Sequence, residues 1–286
     1  MESFVTRTLT INGQTIRTAV RAGKPHLTPL LVCNGIGASL ELVLPFAKAL
    51  DPDQGVIAFD VPGVGGSSTP FLPYSFSSLA KLVTRMLDYL DVGQVNVIGL
   101  SWGGFLAQTF AHEYPGRCKK LILAATSAGL VSVMPSLKVL SLMASPRRYT
   151  DPTHGAKIAP DIYGGEFRRN PELAAAHAEK MQSTGGLGYY YQMAAVYLWT
   201  SIHWLYTLKQ PTLVLAGSDD PIIPLVNMQT LANLIPNARL HVVNDGHLFL
   251  LTQRETLAPL IMSFLSEIGQ EQSCVGAAEP DSLCAL

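Results

Sequence analysis

Hydrophobic and polar positions along the chain follow two alternating regimes. In residues 4 to 21, FVTRTLTI and TIRTAVR alternate with a period of two around Asn12-Gly13. An Asn-Gly pair favours a tight hairpin turn, so an antiparallel pair of strands is expected first. Short β-rich runs then recur: PLLVCNG (29 to 35), GVIAFDVPG (55 to 63), VNVIGLS (95 to 101), LILAATS (121 to 127), TLVLAGSDD (212 to 220) and LHVVNDGH (240 to 247). Their nearly continuous apolar character predicts burial on both faces. Segments with helical spacing, such as SLAKLVTRMLDYL (78 to 90) and FLAQTFAHEY (105 to 114), lie between them. This alternation predicts an α/β fold with a mainly parallel, doubly wound sheet and right-handed crossovers. Ligands of such sheets bind at the carboxyl ends of the strands, where the polar residues closing these runs fall.

The alternation breaks between about 128 and 206, where a helical stretch bearing Met and aromatic residues separates LILAATS from TLVLAGS. We read it as a cap inserted after the sixth strand. The expected organisation is therefore a core in two parts, 1–127 and 207–270, with a helical cap or lid at 128–206. From 271 to 286 the chain has no periodicity and little hydrophobic content, so a disordered tail is expected.

Composition narrows the function. Of 286 residues, 48% are hydrophobic and only 14% charged, a balance that suggests an apolar pocket or surface. A formal net charge of -1 provides no basic field for a phosphate backbone, so a nucleic-acid partner is not expected. The start, MESFVTRTLTING, lacks the apolar core and cleavage site of a secretory signal. The most apolar stretch, LILAATSAGLVSVM, is shorter than the roughly 20 apolar residues of a bilayer span. A cytoplasmic protein without a membrane span is expected. Cys33, Cys118, Cys274 and Cys284 lie far apart with no CxxC pair, so neither a zinc site nor a disulfide framework is signalled.

Candidate chemistry centres on Gly99-Leu100-Ser101-Trp102-Gly103-Gly104, which follows one predicted strand and precedes a predicted helix. That is the context of a nucleophile elbow, whereas GxSxG alone is no more than a Gly-rich turn. Serine needs a base. His247, in Asp245-Gly246-His247 beyond the last predicted strand, lies on a loop at the same sheet edge as Ser101. His112 falls within a helix, His241 within a strand and His26 before the third strand, while His154, His177 and His203 fall in the cap. The carboxylate that orients the base is expected between Ser101 and His247 in chain order. Asp219 and Asp220 compete there, and Asp220 is favoured because hydrolases of this fold place the acid just before a segment like Pro221-Ile222-Ile223-Pro224. Asp60 and Asp245 are expected to be structural.

A tetrahedral oxyanion needs backbone donors. Trp102, just after the nucleophile, should supply one N–H, and Ile36, in the loop Asn34-Gly35-Ile36-Gly37, the other. Tyr189, Tyr190, Tyr191, Trp199 and Trp204, with several methionines, suit either an apolar acyl-chain pocket or simple packing.

With these residues in view, the chain resembles the bacterial intracellular depolymerases of medium-chain-length polyhydroxyalkanoates, a branch of the α/β-hydrolases. The resemblance covers most of residues 1 to 268. Beside the generic elbow it rests on CNGIGASLELVLPF (33 to 46), SPRRY (145 to 149), IAPDIYGG (158 to 165), TSIHWL (200 to 205) and DGHLFL (245 to 250). It implies the α/β-hydrolase fold, a triad of Ser101, Asp220 and His247, and hydrolysis of a storage polyester at the surface of intracellular granules. No metal and no organic cofactor is expected. The rival expectations are a small-molecule esterase, lactonase or carbon-carbon bond hydrolase on the same fold, and a granule-coating protein without turnover.

Overall fold

A computed structural model describes residues 4–145, 147–181 and 186–267; the tail expectation for 271–286, with Cys274 and Cys284, lies outside them. Among the described residues an eight-stranded sheet has the order β1-β2-β4-β3-β5-β6-β7-β8. The hairpin of β1 (Val5–Ile11) and β2 (Gln14–Arg21) turns at Asn12 and Gly13, both with positive φ, and joins β4 antiparallel. The remaining strands run parallel: β3 (Leu30–Cys33), β4 (Val56–Phe59), β5 (Val95–Leu100), β6 (Cys118–Ala124), β7 (Thr212–Gly217) and β8 (Ala238–Val243).

Burial on both faces holds for β3, β4, β5 and β7, whose residues are all buried. It fails for β8, which alternates and leaves His241 and Val242 exposed. Among the described residues β8 is the last strand of the sheet and pairs only with β7, so a run as apolar as LHVV lies at the sheet's edge.

The helices before the insertion are α1 (Leu40–Ala49), α2 (Phe76–Tyr89) and α3 (Trp102–Glu113). Between β6 and β7 come α4 (Leu137–Ala144), α5 (Arg147–Thr150), α6 (Pro152–Tyr163), α7 (Glu166–Arg169), α8 (Pro171–Met181) and α9 (Leu187–Val196). The chain closes with α10 (Leu225–Leu234), α11 (Phe249–Thr252) and α12 (Arg254–Ser266). Two cores sandwich the sheet. One joins Phe76 and Leu79 of α2, Phe105 and Phe110 of α3, and Leu231 of α10. The other joins Val43 and Phe46 of α1 to Ile261 and Phe264 of α12. Among the described residues no helix is long and apolar enough to cross a membrane.

Strand order reverses beside β3, which lies between β4 and β5. The loops leaving β3 and β5 therefore diverge to opposite faces and open a crevice at their carboxyl ends. At the opposite end of the sheet, buried Lys120 of β6 donates from Nζ to the carbonyls of Phe264 at 2.6 Å, Leu265 at 3.0 Å and Glu267 at 2.6 Å. A cation there satisfies the unpaired acceptors at the end of α12. Lys120→Met should destabilise the protein by about 1–3 kcal/mol in urea unfolding. A variant as stable as wild type would show that these bonds contribute nothing.

Candidate active site

Ser101 sits where β5 turns into α3, with φ 53° and ψ -119°. This positive φ is strained for a residue with a side chain, and the neighbouring contacts hold it. Its N–H donates to Ala124 O at 2.8 Å, and its carbonyl accepts from Gly104 N–H at 2.8 Å. Small residues are obligatory around it. A Cβ on Gly99 would lie 2.5 Å from Gly103 O, and one on Gly103 would lie 2.1 Å from Cys33 O.

From this turn Ser101 Oγ reaches His247 Nε2 at 2.9 Å, and His247 Nδ1 reaches Asp220 Oδ2 at 2.8 Å. The side chains of His247 and Asp220 are 4% and 1% exposed, so water competes little for these bonds. Asp220 Oδ1 accepts from the N–H groups of Ile222 at 2.9 Å and Ile223 at 2.8 Å. A carboxylate that only accepts requires Nδ1 to carry the imidazole proton, leaving Nε2 free to accept the serine proton.

The competing aspartates are engaged elsewhere. Asp219 Oδ2 accepts from Gly165 N–H at 2.8 Å and pairs with Arg168 at 3.1 Å. Asp245 accepts from the N–H groups of Glu166 and Gly246, each at 2.7 Å, and from the Thr252 hydroxyl at 2.5 Å. Asp60, at the end of β4, accepts from Leu40 N–H at 2.7 Å and Gly66 N–H at 2.8 Å. All three tie loops together.

Trp102 opens α3, and Ile36 lines the same cavity as Ser101. Among the described residues neither backbone N–H is engaged in a hydrogen bond. Gln192 of α9 joins these two loops: its side-chain oxygen accepts from Gly37 N–H at 2.8 Å, and its carbonyl accepts from the Trp102 indole at 2.9 Å.

The cavity above Ser101 measures about 70 Å³. Ligand pockets usually reach several hundred Å³, so this cavity is a small one. Leu42, Leu100, Ile222 and Leu248 from the core, with Met143 and Met181 from the insertion, make it largely apolar. The insertion also brings Arg148, Tyr163 and His177 to it. Of the aromatics singled out from sequence, the two tryptophans take the packing role that was one of the two expected. Trp199 lies 5.2 Å from Phe76 and 4.8 Å from Phe105 between ring centroids, and Trp204 stacks on His112 at 4.4 Å. Cys33 and Cys118 are buried free thiols, and burial pushes Cys33 up to about 12.

Sequence reasoning missed how the insertion supports the histidine. His247 N–H donates to Tyr163 O at 2.7 Å, and the corner Gly164-Gly165, with φ 66° and 48°, packs against Asp219, Asp245 and Gly246. The doubled glycine in IAPDIYGG was its only trace.

His177 of α8 carries a pH signature of its own. Burial, with smaller contributions from Lys180 and Arg148, lowers its pKa from 6.5 to about 4. The unfolded chain therefore takes up a proton at about pH 6.5 that the folded protein refuses until about pH 4, so stability falls as pH drops through that window. Urea unfolding at pH 7 and pH 4.5 should show a smaller acid loss for His177→Gln than for wild type. Equal losses would mean that His177 is not buried neutral.

Known proteins resemble this chain in sequence and in fold. Residues 28–253 match the family described as the alpha/beta hydrolase fold. The chain is 66% identical to a poly(3-hydroxyalkanoate) depolymerase of Ectopseudomonas oleovorans over 93% of its own length and 94% of the relative's. A hydrolase from Pseudomonas aeruginosa PA01 is 25% identical and superposes with a TM-score of 0.77, over 92% of this chain and 98% of that one. An enol-lactonase from Burkholderia xenovorans LB400, 23% identical, superposes with a TM-score of 0.78 over 91% of this chain and all (100%) of its own, a likeness of fold alone. The chain belongs to the α/β-hydrolase family and, within it, to the family of the poly(3-hydroxyalkanoate) depolymerase.

Proposed function

We propose that Ser101, His247 and Asp220 hydrolyse the ester bonds of a medium-chain-length poly(3-hydroxyalkanoate) through an acyl-enzyme. Ester hydrolysis follows from the family. The observation that carries the mechanism is the relay from Ser101 through His247 to Asp220, with both bonds under 3 Å: 2.9 Å and 2.8 Å. The substrate class is supported by the 66% identity to a depolymerase of that polymer.

In the first step His247 Nε2 takes the Ser101 proton as Oγ bonds to the ester carbonyl carbon. The N–H groups of Trp102 and Ile36 receive the charge that develops on the carbonyl oxygen. Collapse breaks the bond to the neighbouring unit's oxygen, which leaves with the proton from His247. Water, deprotonated by the same imidazole, then attacks the acyl-serine and releases the acid.

A polymer in bulk must meet the protein at a surface. Leu130, Val131, Met134 and Leu137 are exposed before and within α4, and Tyr197 and Leu198 just after α9. Leu130 N–H donates to Trp199 O at 2.9 Å, which brings the two segments side by side. An exposed apolar rim suits adsorption to a polyester granule. In this reading the insertion acts as a lid whose displacement widens the cavity.

Ser101→Ala should abolish release of 3-hydroxy acids from suspended medium-chain polyester without lowering the melting temperature. Asp220→Asn should cost about 10³- to 10⁴-fold in kcat, and Asp219→Asn less than tenfold. Equal losses from the two aspartate variants would overturn the choice of acid. Turnover of a soluble ester with none of the polymer would favour a small-molecule esterase.

A further inference from the structure

Apart from Ser101 and His247, the polar side chains lining the cavity are Asn34, Arg148, Tyr163 and His177, and Arg148 Nη2 donates to the Tyr189 hydroxyl at 3.3 Å. Asn34 is spent within its own loop, its Nδ2 donating to Ser39 O at 2.9 Å and its Oδ1 accepting from Gly35 N–H at 2.9 Å. In the wall contributed by the insertion stands His177, 8% exposed, with ring centroids 5.1 Å from Tyr163 and 5.3 Å from Phe167, both near edge-on. Its Nε2 is sealed from solvent and makes no hydrogen bond among the described residues. Packing between two aromatic rings would be served as well by Leu or Phe, and a buried ring nitrogen without a partner carries a desolvation cost.

The acyl unit that reaches Ser101 under the proposed function has three parts: a carbonyl, an apolar side chain on C3 and an oxygen on C3. Leu42, Met143 and Met181 suit the side chain, and the N–H groups of Trp102 and Ile36 suit the carbonyl. Only the C3 oxygen still lacks a partner. We propose that His177 is a specificity-determining residue whose Nε2 hydrogen-bonds the oxygen on C3 of the bound acyl unit, so that the cavity selects 3-hydroxyacyl esters over plain alkanoyl esters. A neutral imidazole accepts from a free hydroxyl or donates to an esterified oxygen without adding a second charge to the cavity beside Arg148. Burial keeps this ring neutral down to about pH 4. The inference rests on the ester-hydrolase reading of Ser101.

The test compares p-nitrophenyl 3-hydroxyoctanoate with p-nitrophenyl octanoate, which share a leaving group and chain length and differ only at C3. Wild type should prefer the hydroxy ester. His177→Leu should lower kcat/KM for that ester about tenfold more than for the octanoate, while His177→Gln recovers part of the preference. A cooperative thermal unfolding transition reports that the variant is folded. Equal losses on both esters would reduce His177 to a packing residue, and an intact preference in His177→Leu would likewise overturn the proposal. If Ser101→Ala cleaves both esters as well as wild type, the reading of the site fails and takes this inference with it. A Ser101-dependent enzyme indifferent to the 3-hydroxyl overturns this inference alone.

Discussion

A serine hydroxyl becomes a better nucleophile beside an imidazole that is held in one tautomer and at hydrogen-bonding distance, and the bonds around His247 meet that requirement. The 2.8 Å bond between Asp220 and His247 Nδ1 is the keystone. Because Asp220 also accepts two backbone N–H groups, it stays an acceptor, which fixes the proton on Nδ1 and turns Nε2 toward Ser101. Each member hangs on a different parallel strand: Ser101 follows β5, Asp220 follows β7 and His247 follows β8. Parallel order brings all three strand ends to one edge of the sheet, so the convergence of distant residues costs no unusual backbone except at Ser101 itself.

The helical insertion is more than a cover. Its Gly164-Gly165 corner lies between the acid loop and the histidine loop, and Tyr163 O holds the backbone N–H of His247. Gln192 ties α9 to both loops expected to stabilise the oxyanion. Met143 and Met181, on α4 and at the end of α8, put flexible side chains on the cavity wall.

Much of this was legible in the sequence, and the exceptions have physical causes. The strands announced themselves because both faces are buried, and the elbow because only glycine survives where β5 and α3 approach so closely. Ser101, Asp220 and His247 fall at strand ends, where chain order and sheet direction locate them. β8 misled because an apolar run reads alike at the centre and at the edge of a sheet, and nothing local reveals which neighbour is missing. The tryptophans of the insertion suited either a pocket or packing, and they fill a core beside α2 and α3. The sequence placed His177 in the cap, where it could line a pocket, and it does line the cavity; Arg148 and the support given by Tyr163 were hard to read, since their positions depend on helix-on-helix packing within the insertion rather than on any strand register.

Covalent labelling tests the central claim most directly. Folded protein treated with a p-nitrophenyl alkylphosphonate of medium chain length should gain one phosphonyl group, located by peptide mass spectrometry on Ser101, at a rate that collapses in His247→Gln. Labelling of a different serine, or of Ser101 at an undiminished rate once the imidazole is gone, would contradict the account.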